Sequence, residues 1–155
     1  KRYTYWPQLF LGITFNYGLL LGWTSVNEEI SLIPIIFYLG AIFWTLGYDT
    51  IYGFQDIEDD EIIGVKSTSI KFKQNPKIFL SICYFIFTLL FVITGIKLNF
   101  NKYFFICAMT VFFHLFIIQI MNFNKENKEK CLEIFKGNNV LGLIILICIL
   151  IGKLN

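Results

Sequence analysis

Residues 78–96 have the sequence Ile-Phe-Leu-Ser-Ile-Cys-Tyr-Phe-Ile-Phe-Thr-Leu-Leu-Phe-Val-Ile-Thr-Gly-Ile, which contains no charged side chain. A helix needs about 20 mostly apolar residues to cross the hydrocarbon core of a bilayer, so this stretch is long enough to span one. Strands of a membrane β-barrel alternate apolar and polar residues with a period of two, and this stretch has no such alternation. The stretch therefore predicts a transmembrane helix.

Four further segments of the chain have the same apolar character. The predicted spans are roughly 5–24, 31–53, 78–96, 103–122 and 138–152. Pro7, Pro34 and Pro76 each stand near the start of a span, where a missing N–H costs little. Because lipid offers no hydrogen bonds, each spanning segment must satisfy its own backbone groups. The predicted fold is an all-α integral membrane bundle of about five transmembrane helices, forming a single domain over residues 1–155.

The composition excludes several other classes of protein. Charged residues make up only 15% of the 155 residues and hydrophobic residues 56%, whereas an ordinary soluble domain has about 25% charged residues. The net charge is +2 with no basic stripe, so no nucleic-acid partner is expected and the lipid bilayer is the expected environment. The cysteines are widely spaced, without a CxxC pair, and are expected to be buried, reduced and inert. They are Cys83, Cys107, Cys131 and Cys148.

The distribution of basic residues predicts the orientation in the membrane. Ten of the thirteen Lys and Arg residues fall in the N-terminus and in loops 54–77 and 123–137, all on one side of the predicted bundle. They are Lys1, Arg2, Lys66, Lys71, Lys73, Lys77, Lys125, Lys128, Lys130 and Lys136. Cytoplasmic loops are rich in Lys and Arg, so this side is predicted to be cytoplasmic. A bacterial inner membrane and a mitochondrial inner membrane both fit this pattern.

Six of the eleven acidic residues fall in one short stretch at the end of the second span. A charge run is most often a solvated helix end, but carboxylates at a membrane are costly and are candidate functional groups. If one helix continues through the stretch, at about 100° per residue, Asp49, Asp56 and Asp60 share a face. Tyr52 borders that face and Glu58 points away from it. Three carboxylates on one face repel each other, and a hard divalent cation would relieve the repulsion.

Distances along the predicted helix separate the three aspartates into two groups. Asp56 and Asp60 are about 6 Å apart along the axis and can share one Mg²⁺ ion or hold two neighbouring ions. Mg²⁺ usually binds one or two carboxylates together with a substrate phosphate. Asp49 lies about 10 Å further into the membrane, too far to share that ion. We therefore assign Asp49 a separate role, on the acceptor side of a cavity.

A short polar segment follows the acidic stretch. Gly64 is expected to end the helix, which places Lys66 and the hydroxyl groups of Ser67 and Thr68 within reach of the same polar pocket. Lys66 is a competent phosphate ligand as a point charge. The alternative reading of Lys66 is an ordinary cation of a cytoplasmic loop.

This region resembles a motif of a known family. The stretch is Tyr48-Asp-Thr-Ile-Tyr-Gly-Phe-Gln-Asp-Ile-Glu-Asp-Asp-Glu-Ile-Ile-Gly-Val-Lys-Ser-Thr68. It resembles the second aspartate motif of the UbiA superfamily of intramembrane aromatic prenyltransferases, and is most similar to that of the 4-hydroxybenzoate polyprenyltransferases. Residues 1–18 resemble the segment upstream of that motif. Weaker similarity to the last cytoplasmic loop of the family involves Cys131, Phe135, Asn138 and Asn139.

The resemblance implies a fold and a reaction. The family has nine transmembrane helices and two aspartate motifs, so this chain is expected to be the C-terminal part of such a bundle and to be incomplete for catalysis by itself. The implied reaction transfers a polyprenyl group from polyprenyl diphosphate to the ring of 4-hydroxybenzoate in ubiquinone biosynthesis. Mg²⁺ between the two motifs neutralises the diphosphate.

The resemblance also implies roles for individual residues. Asp56 and Asp60 are the expected metal-binding carboxylates. Asp49 is a companion catalytic residue that orients the phenolic acceptor or helps to deprotonate it. Tyr52 and Lys66 are expected to contact the substrates.

Three alternatives to this function stay open at this point. A prenyltransferase of the same superfamily could use another acceptor, such as a naphthoate, homogentisate or haem. A divalent-cation transporter or channel subunit would also place carboxylates on one helix face. The chain could also be the inactive product of a degraded gene.

Several residues within the spans have two possible roles. His114 is expected to form an interhelical hydrogen bond, with a functional role as the alternative. Gly18 and Gly22 have the GxxxG spacing that is typical of close helix packing. Asn16 is expected either to face a substrate cavity or to bond a neighbouring helix. The charged segment 125–136 predicts a short surface helix with i,i+4 ion pairs, or a lid over the site.

Overall fold

The protein is described by a computed structural model that covers residues 2–154, and this part of the chain contains helices and no strand. The helices are α1 (Pro7–Phe15), α2 (Gly18–Asn27), α3 (Leu32–Tyr52), α4 (Ile57–Ile63), α5 (Thr68–Lys71), α6 (Pro76–Lys97), α7 (Lys102–Phe113) and α8 (Lys128–Lys153). A π-helical segment, His114–Met121, continues α7. The all-α class predicted from the sequence is confirmed.

Five helical stretches are long and apolar enough to cross a membrane, which confirms the number of predicted spans. They are Pro7–Asn27, Leu32–Tyr52, Pro76–Lys97, Lys102–Met121 and Lys128–Lys153. Pro7 and Pro76 lie in the first turns of their helices, as predicted.

The last span begins well before its predicted start at residue 138. The side chain of Asn127 accepts a hydrogen bond from the Lys130 N–H at 2.9 Å and caps the first turn of α8. Lys130 then pairs with Glu133 at 2.8 Å, three residues along the same helix. The prediction of a separate surface helix over 125–136 is therefore wrong, because most of that segment is the first part of the spanning helix.

α3 occupies the centre of the bundle. It packs against α6 along much of its length and is flanked by α1 and α8, while α7 packs between α6 and α8. The core between these helices is aromatic and includes Phe87, Phe91 and Phe104, each of which is buried. The Asn101 N–H donates to the carbonyl of Gly152 at 3.1 Å, so the start of α7 meets the end of α8 and the two helices are antiparallel.

The N-terminus and the two long loops meet at one end of the bundle. Gln8 accepts a hydrogen bond from the Thr68 N–H at 3.0 Å, which joins α1 to the loop between α3 and α6. Phe54 of that loop packs against Phe123, with ring centroids 5.3 Å apart. Lys1, which the sequence assigns to the same end, lies outside the described residues. This end carries most of the basic residues, and its cytoplasmic orientation stays a prediction.

Two cysteines form a disulfide that ties α7 to α8. Cys107 and Cys148 are bonded, with Cα atoms 5.4 Å apart, whereas Cys83 and Cys131 are free and buried. The prediction that all four cysteines are reduced is wrong for this pair. The reason is tertiary: antiparallel packing of α7 and α8 brings two cysteines far apart in sequence to bonding distance.

Thiol labelling of the unfolded protein checks this bond. Without reductant, peptides with Cys83 and Cys131 are expected to carry the alkylating reagent while Cys107 and Cys148 stay unlabelled. After reduction all four should be labelled. Full labelling of Cys107 before reduction would contradict the disulfide.

The first span is interrupted near its middle. Asn16 ends α1, and its side-chain amide donates to the carbonyl of Ala41 at 3.2 Å and to the Thr45 hydroxyl at 2.8 Å. These bonds attach the break to α3. An added Cβ at Gly18 or Gly22 would have no neighbour within 4 Å among the described residues, so the expected close packing at these glycines is not seen there.

Candidate active site

The chain turns sharply between α3 and α4. The N–H groups of Gly53, Phe54 and Gln55 bond back to carbonyls of the last turn of α3, and Phe54 is buried with 1% of its surface exposed. Burial of this ring against Phe123 requires the turn. Asp49 therefore lies on α3 and Asp56 precedes α4, so the prediction of one continuous helix with three aspartates on one face is wrong.

Asp56 and Asp60 do remain close to each other. Asp56 is the N-cap residue of α4, and its carbonyl accepts a hydrogen bond from the Asp60 N–H at 2.8 Å. The two residues are thus one helical turn apart, about 6 Å along the axis. Asp56 is exposed, whereas Asp60 is buried with 8% of its surface exposed.

The two glutamates of this stretch pair with lysines. Glu58 contacts Lys128 at 2.7 Å, and Glu61 contacts Lys73 at 2.7 Å. The hydrogen bond from Lys128 lowers the pKa of Glu58, and the positive charge of Lys128 adds to this effect. Both pairs are solvent-exposed, so they orient α4 and contribute little to stability.

Asp49 and Tyr52 lie on the last turns of α3, at the same end of the bundle. Asp49 is half-buried, and Tyr52 is 37% exposed. The Tyr52 ring packs on Phe135 of α8 with centroids 4.5 Å apart, and Tyr48 lies 5.7 Å from the same ring. Phe135 thus joins the aromatic end of α3 to α8.

Lys66 and the two hydroxyl residues after it have separate surroundings. The Lys66 ammonium lies 5.5 Å from the centroid of the Tyr5 ring, and the residue is half-buried. Thr68 is fully buried, and its hydroxyl bonds the Thr50 hydroxyl at 2.7 Å. Ser67 is also fully buried and caps α5. The Thr68 hydroxyl joins the loop to α3, whereas the Ser67 hydroxyl accepts from the Ile70 N–H within the loop. Both groups are buried, so the prediction that they reach a polar pocket is wrong.

A cavity of about 340 Å³ opens beside α3, between the break after α1 and the first half of α8. Aromatic residues form part of its wall, namely Phe15, Trp44, Tyr48 and Phe135. Polar residues form the rest, namely Asn16, Thr45, Asn138 and Asn139. The cavity combines flat apolar surfaces with amide and hydroxyl groups, which is the chemistry that holds a polar aromatic ring. Asn16 both lines the cavity and bonds a neighbouring helix.

One cavity residue, Asn138, belongs to a buried hydrogen-bond network. Its side-chain oxygen accepts from Trp44 at 2.9 Å and from Gln119 at 3.0 Å. His114 contacts Gln119 through Nδ1 at 3.3 Å, within the same π-helical segment, so the predicted interhelical partner of His114 is wrong. Sequence reasoning missed Gln119, although an amide within an apolar span is itself a signal.

The described residues include two candidate metal carboxylates and no larger cluster. Within residues 2–154, no group of three or more His, Cys, Asp and Glu side chains is arranged to hold a metal ion. Asp56 and Asp60 supply hard oxygen donors one turn apart, which fits the one or two carboxylates that Mg²⁺ takes from a protein when a phosphate and water fill its other positions.

The sequence as a whole identifies the family. Residues 1–144 match the UbiA prenyltransferase family. The chain belongs to this family. The match includes the acidic turn, Lys66 and the cavity residues of α3 and α8.

Several curated relatives of this UbiA chain are 4-hydroxybenzoate polyprenyltransferases by name. It is 39% identical over 155 residues to the mitochondrial 4-hydroxybenzoate polyprenyltransferase of Bos taurus, covering 99% of this chain and 42% of that protein. The Dictyostelium discoideum and Homo sapiens proteins of the same name are each 37% identical and cover 99% of this chain. The chain spans 33% and 42% of their lengths, respectively, so it corresponds to less than half of each relative. No solved structure matches it.

Two contacts with α8 link the parts of the candidate site in this UbiA chain. The start of α8 holds the acidic turn through Lys128 and Glu58. Two turns later, Phe135 packs on Tyr52 and lines the cavity. The carboxylates and the aromatic-lined cavity therefore lie at the same end of the bundle, attached to a common helix.

Proposed function

We propose that this chain is part of an enzyme that transfers a polyprenyl group from polyprenyl diphosphate to the ring of 4-hydroxybenzoate, a step of ubiquinone biosynthesis. The observation that carries this proposal is the match of nearly the whole chain to relatives named for that reaction. The acidic turn beside an aromatic cavity supplies the two kinds of surface that such substrates need.

The acidic turn serves the diphosphate. Asp56 and Asp60 would hold Mg²⁺, and the ion, when bound, would supply positive charge that stabilises the departing diphosphate. Lys66 would add a second positive charge to the same group. Its position over the Tyr5 ring keeps the ammonium at this end of the bundle.

The aromatic cavity serves the acceptor. A benzoate ring packs between Trp44, Tyr48 and Phe135, and the amide of Asn139 is available to its polar substituents. Tyr52 closes the end of this wall by packing on Phe135. Asp49, one residue after Tyr48, would orient the phenol or accept its proton as the ring attacks.

The apolar surroundings serve the chemistry between the two sites. An allylic cation formed on loss of diphosphate reacts with any water that reaches it. The aromatic walls and the surrounding lipid keep water away while leaving room for a long apolar chain. We place the reaction in a mitochondrial membrane, as the names of the relatives indicate, with the basic end of the bundle facing the matrix.

Expression of the full gene product in a yeast strain that lacks its own 4-hydroxybenzoate polyprenyltransferase tests the proposal. We expect ubiquinone synthesis to return, and isolated membranes to prenylate radiolabelled 4-hydroxybenzoate with added polyprenyl diphosphate. Chelation of Mg²⁺ should abolish the product and added Mg²⁺ should restore it. Prenylation only of a naphthoate or homogentisate would assign another acceptor. Divalent-cation uptake by sealed vesicles, without any prenylated product, would favour transport instead.

A further inference from the structure

Four polar side chains from four different helical segments are connected inside the bundle. The Tyr84 hydroxyl of α6 donates to the Gln119 amide oxygen at 2.5 Å. The Gln119 nitrogen donates to Asn138 of α8 at 3.0 Å, and the Trp44 indole N–H of α3 donates to the same oxygen at 2.9 Å. Tyr84 and Gln119 are fully buried, and they do not line the cavity.

Gln119 reaches this network because its backbone is π-helical. In the π-helical segment, residues five apart lie about one turn from each other, so His114 and Gln119 are neighbours at 3.3 Å. In an α-helix the same two residues would point about 140° apart. Single π-helical turns occur often at functional sites. Here the departure from α-helical geometry places the amide of one side chain, Gln119, in the network.

The network determines how Asn138 and Trp44 meet the cavity. Asn138 donates its side-chain N–H groups to the carbonyls of Ile134 and Phe135 in its own helix, and its oxygen accepts two donors. The Trp44 N–H is also engaged, so the indole offers the cavity an apolar aromatic surface. That indole is stacked on Phe87, with centroids 5.5 Å apart and planes 20° apart.

Burial of a glutamine in a membrane core is costly unless its amide is bonded, and an apolar residue of similar size would fill the same space. We propose that Gln119 is a positioning residue for the acceptor cavity. Anchored by Tyr84, it fixes Asn138 and, through Asn138, the Trp44 indole against which the acceptor ring packs. The identity of the ring as 4-hydroxybenzoate rests on the proposed function.

Kinetics of the full gene product with Gln119→Met provide the first test. Methionine preserves the volume and removes the side-chain hydrogen bonds to Tyr84, Asn138 and His114. The KM for 4-hydroxybenzoate is therefore expected to rise about tenfold. The KM for polyprenyl diphosphate should change less than about twofold. Tyr84→Phe should also raise the KM for 4-hydroxybenzoate, by a smaller factor. Combining Gln119→Met with Asn138→Leu should add little to the effect of Asn138→Leu alone, because the two act in series.

Thr94→Val is the matched control. Thr94 is buried in α6 and its hydroxyl donates to the Leu90 carbonyl of the same helix, so this change also removes a buried hydrogen bond. It should leave the KM for 4-hydroxybenzoate unchanged. Equal effects of Thr94→Val and Gln119→Met, or a rise in both KM values together with a lower melting temperature, would overturn the positioning role.

Fluorescence of Trp44 separates this inference from the proposed reaction. In a variant with Trp6→Phe and Trp23→Phe, Trp44 is the only tryptophan in residues 2–154. Any other tryptophan of the full gene product must also be replaced by phenylalanine, so that the fluorescence of Trp44 is measured alone. We expect 4-hydroxybenzoate to change its emission, and Gln119→Met to shift the emission and weaken binding about tenfold. Binding without turnover would refute the proposed reaction and leave the positioning role intact. The inference would be overturned if 4-hydroxybenzoate did not bind the protein with Gln119 intact, or if Gln119→Met left its binding unchanged.

Discussion

Replacement of Asp56 or Asp60 by alanine in the full gene product is expected to lower prenyl transfer at least about a hundredfold. The reason is electrostatic, because metal-assisted charge stabilisation of a leaving group contributes several kcal/mol and each 1.36 kcal/mol is a factor of ten in rate. The two residues share one turn at the start of α4, where they supply the metal carboxylates in the proposed mechanism. Initial rates with saturating substrates, measured across a range of Mg²⁺ concentrations, check the prediction.

Glu58→Ala is the control for this pair of variants. Glu58 belongs to the same short helix but lies about 200° around the axis from Asp56, and it is engaged with Lys128. Its removal should leave the rate within about threefold of the original, because exposed ion pairs contribute little. A loss with Glu58→Ala as large as with Asp60→Ala would show that the whole acidic helix matters and not the two metal carboxylates. Near-normal activity of Asp56→Ala would show that Asp56 is not a metal ligand.

Gly47→Ala is expected to destabilise the fold. An added Cβ at Gly47 would overlap the ring of Tyr84, which is fully buried between α3 and α6. Overpacking of this kind costs about 1–3 kcal/mol, and the better helix propensity of alanine offsets at most about 1 kcal/mol of it. The apparent melting temperature in detergent should fall by about 2–4 °C for each kcal/mol of net destabilisation.

The matched control is Gly137→Ala, in the middle of α8. There an added Cβ would stand 4.0 Å from the His114 ring, which is an ordinary contact. This variant should melt at or slightly above the original temperature. Because Tyr84 also anchors Gln119, Gly47→Ala should in addition raise the KM for 4-hydroxybenzoate. A melting temperature unchanged by Gly47→Ala would mean that the Tyr84 ring moves aside without cost.

The predictions differ from the structure for two reasons. Some features depend on contacts between residues far apart in the chain, and others depend on local signals that were not used. The break after α3 depends on Phe54, whose ring is buried against Phe123 from the other long loop. A helical wheel drawn through Asp49 and Asp56 contains no information about that contact. The early start of α8 is a different case, because Asn127 is a recognisable N-cap residue. The charged residues after it favour a separate surface helix by sequence, whereas in the structure they form the first turns of the spanning helix.

The sequence by itself determined the class of protein, the number of spans and the family. Each of these depends on local properties, namely hydrophobic length, the positions of charges and a contiguous motif. Only the tertiary structure decided which residues form the cavity, since Asn16, Trp44 and Asn138 come from three different spans. It also decided the Cys107–Cys148 bond and the network through Gln119. These features arise where helices distant in the chain pack together, and that packing depends on the side chains of both partners at once.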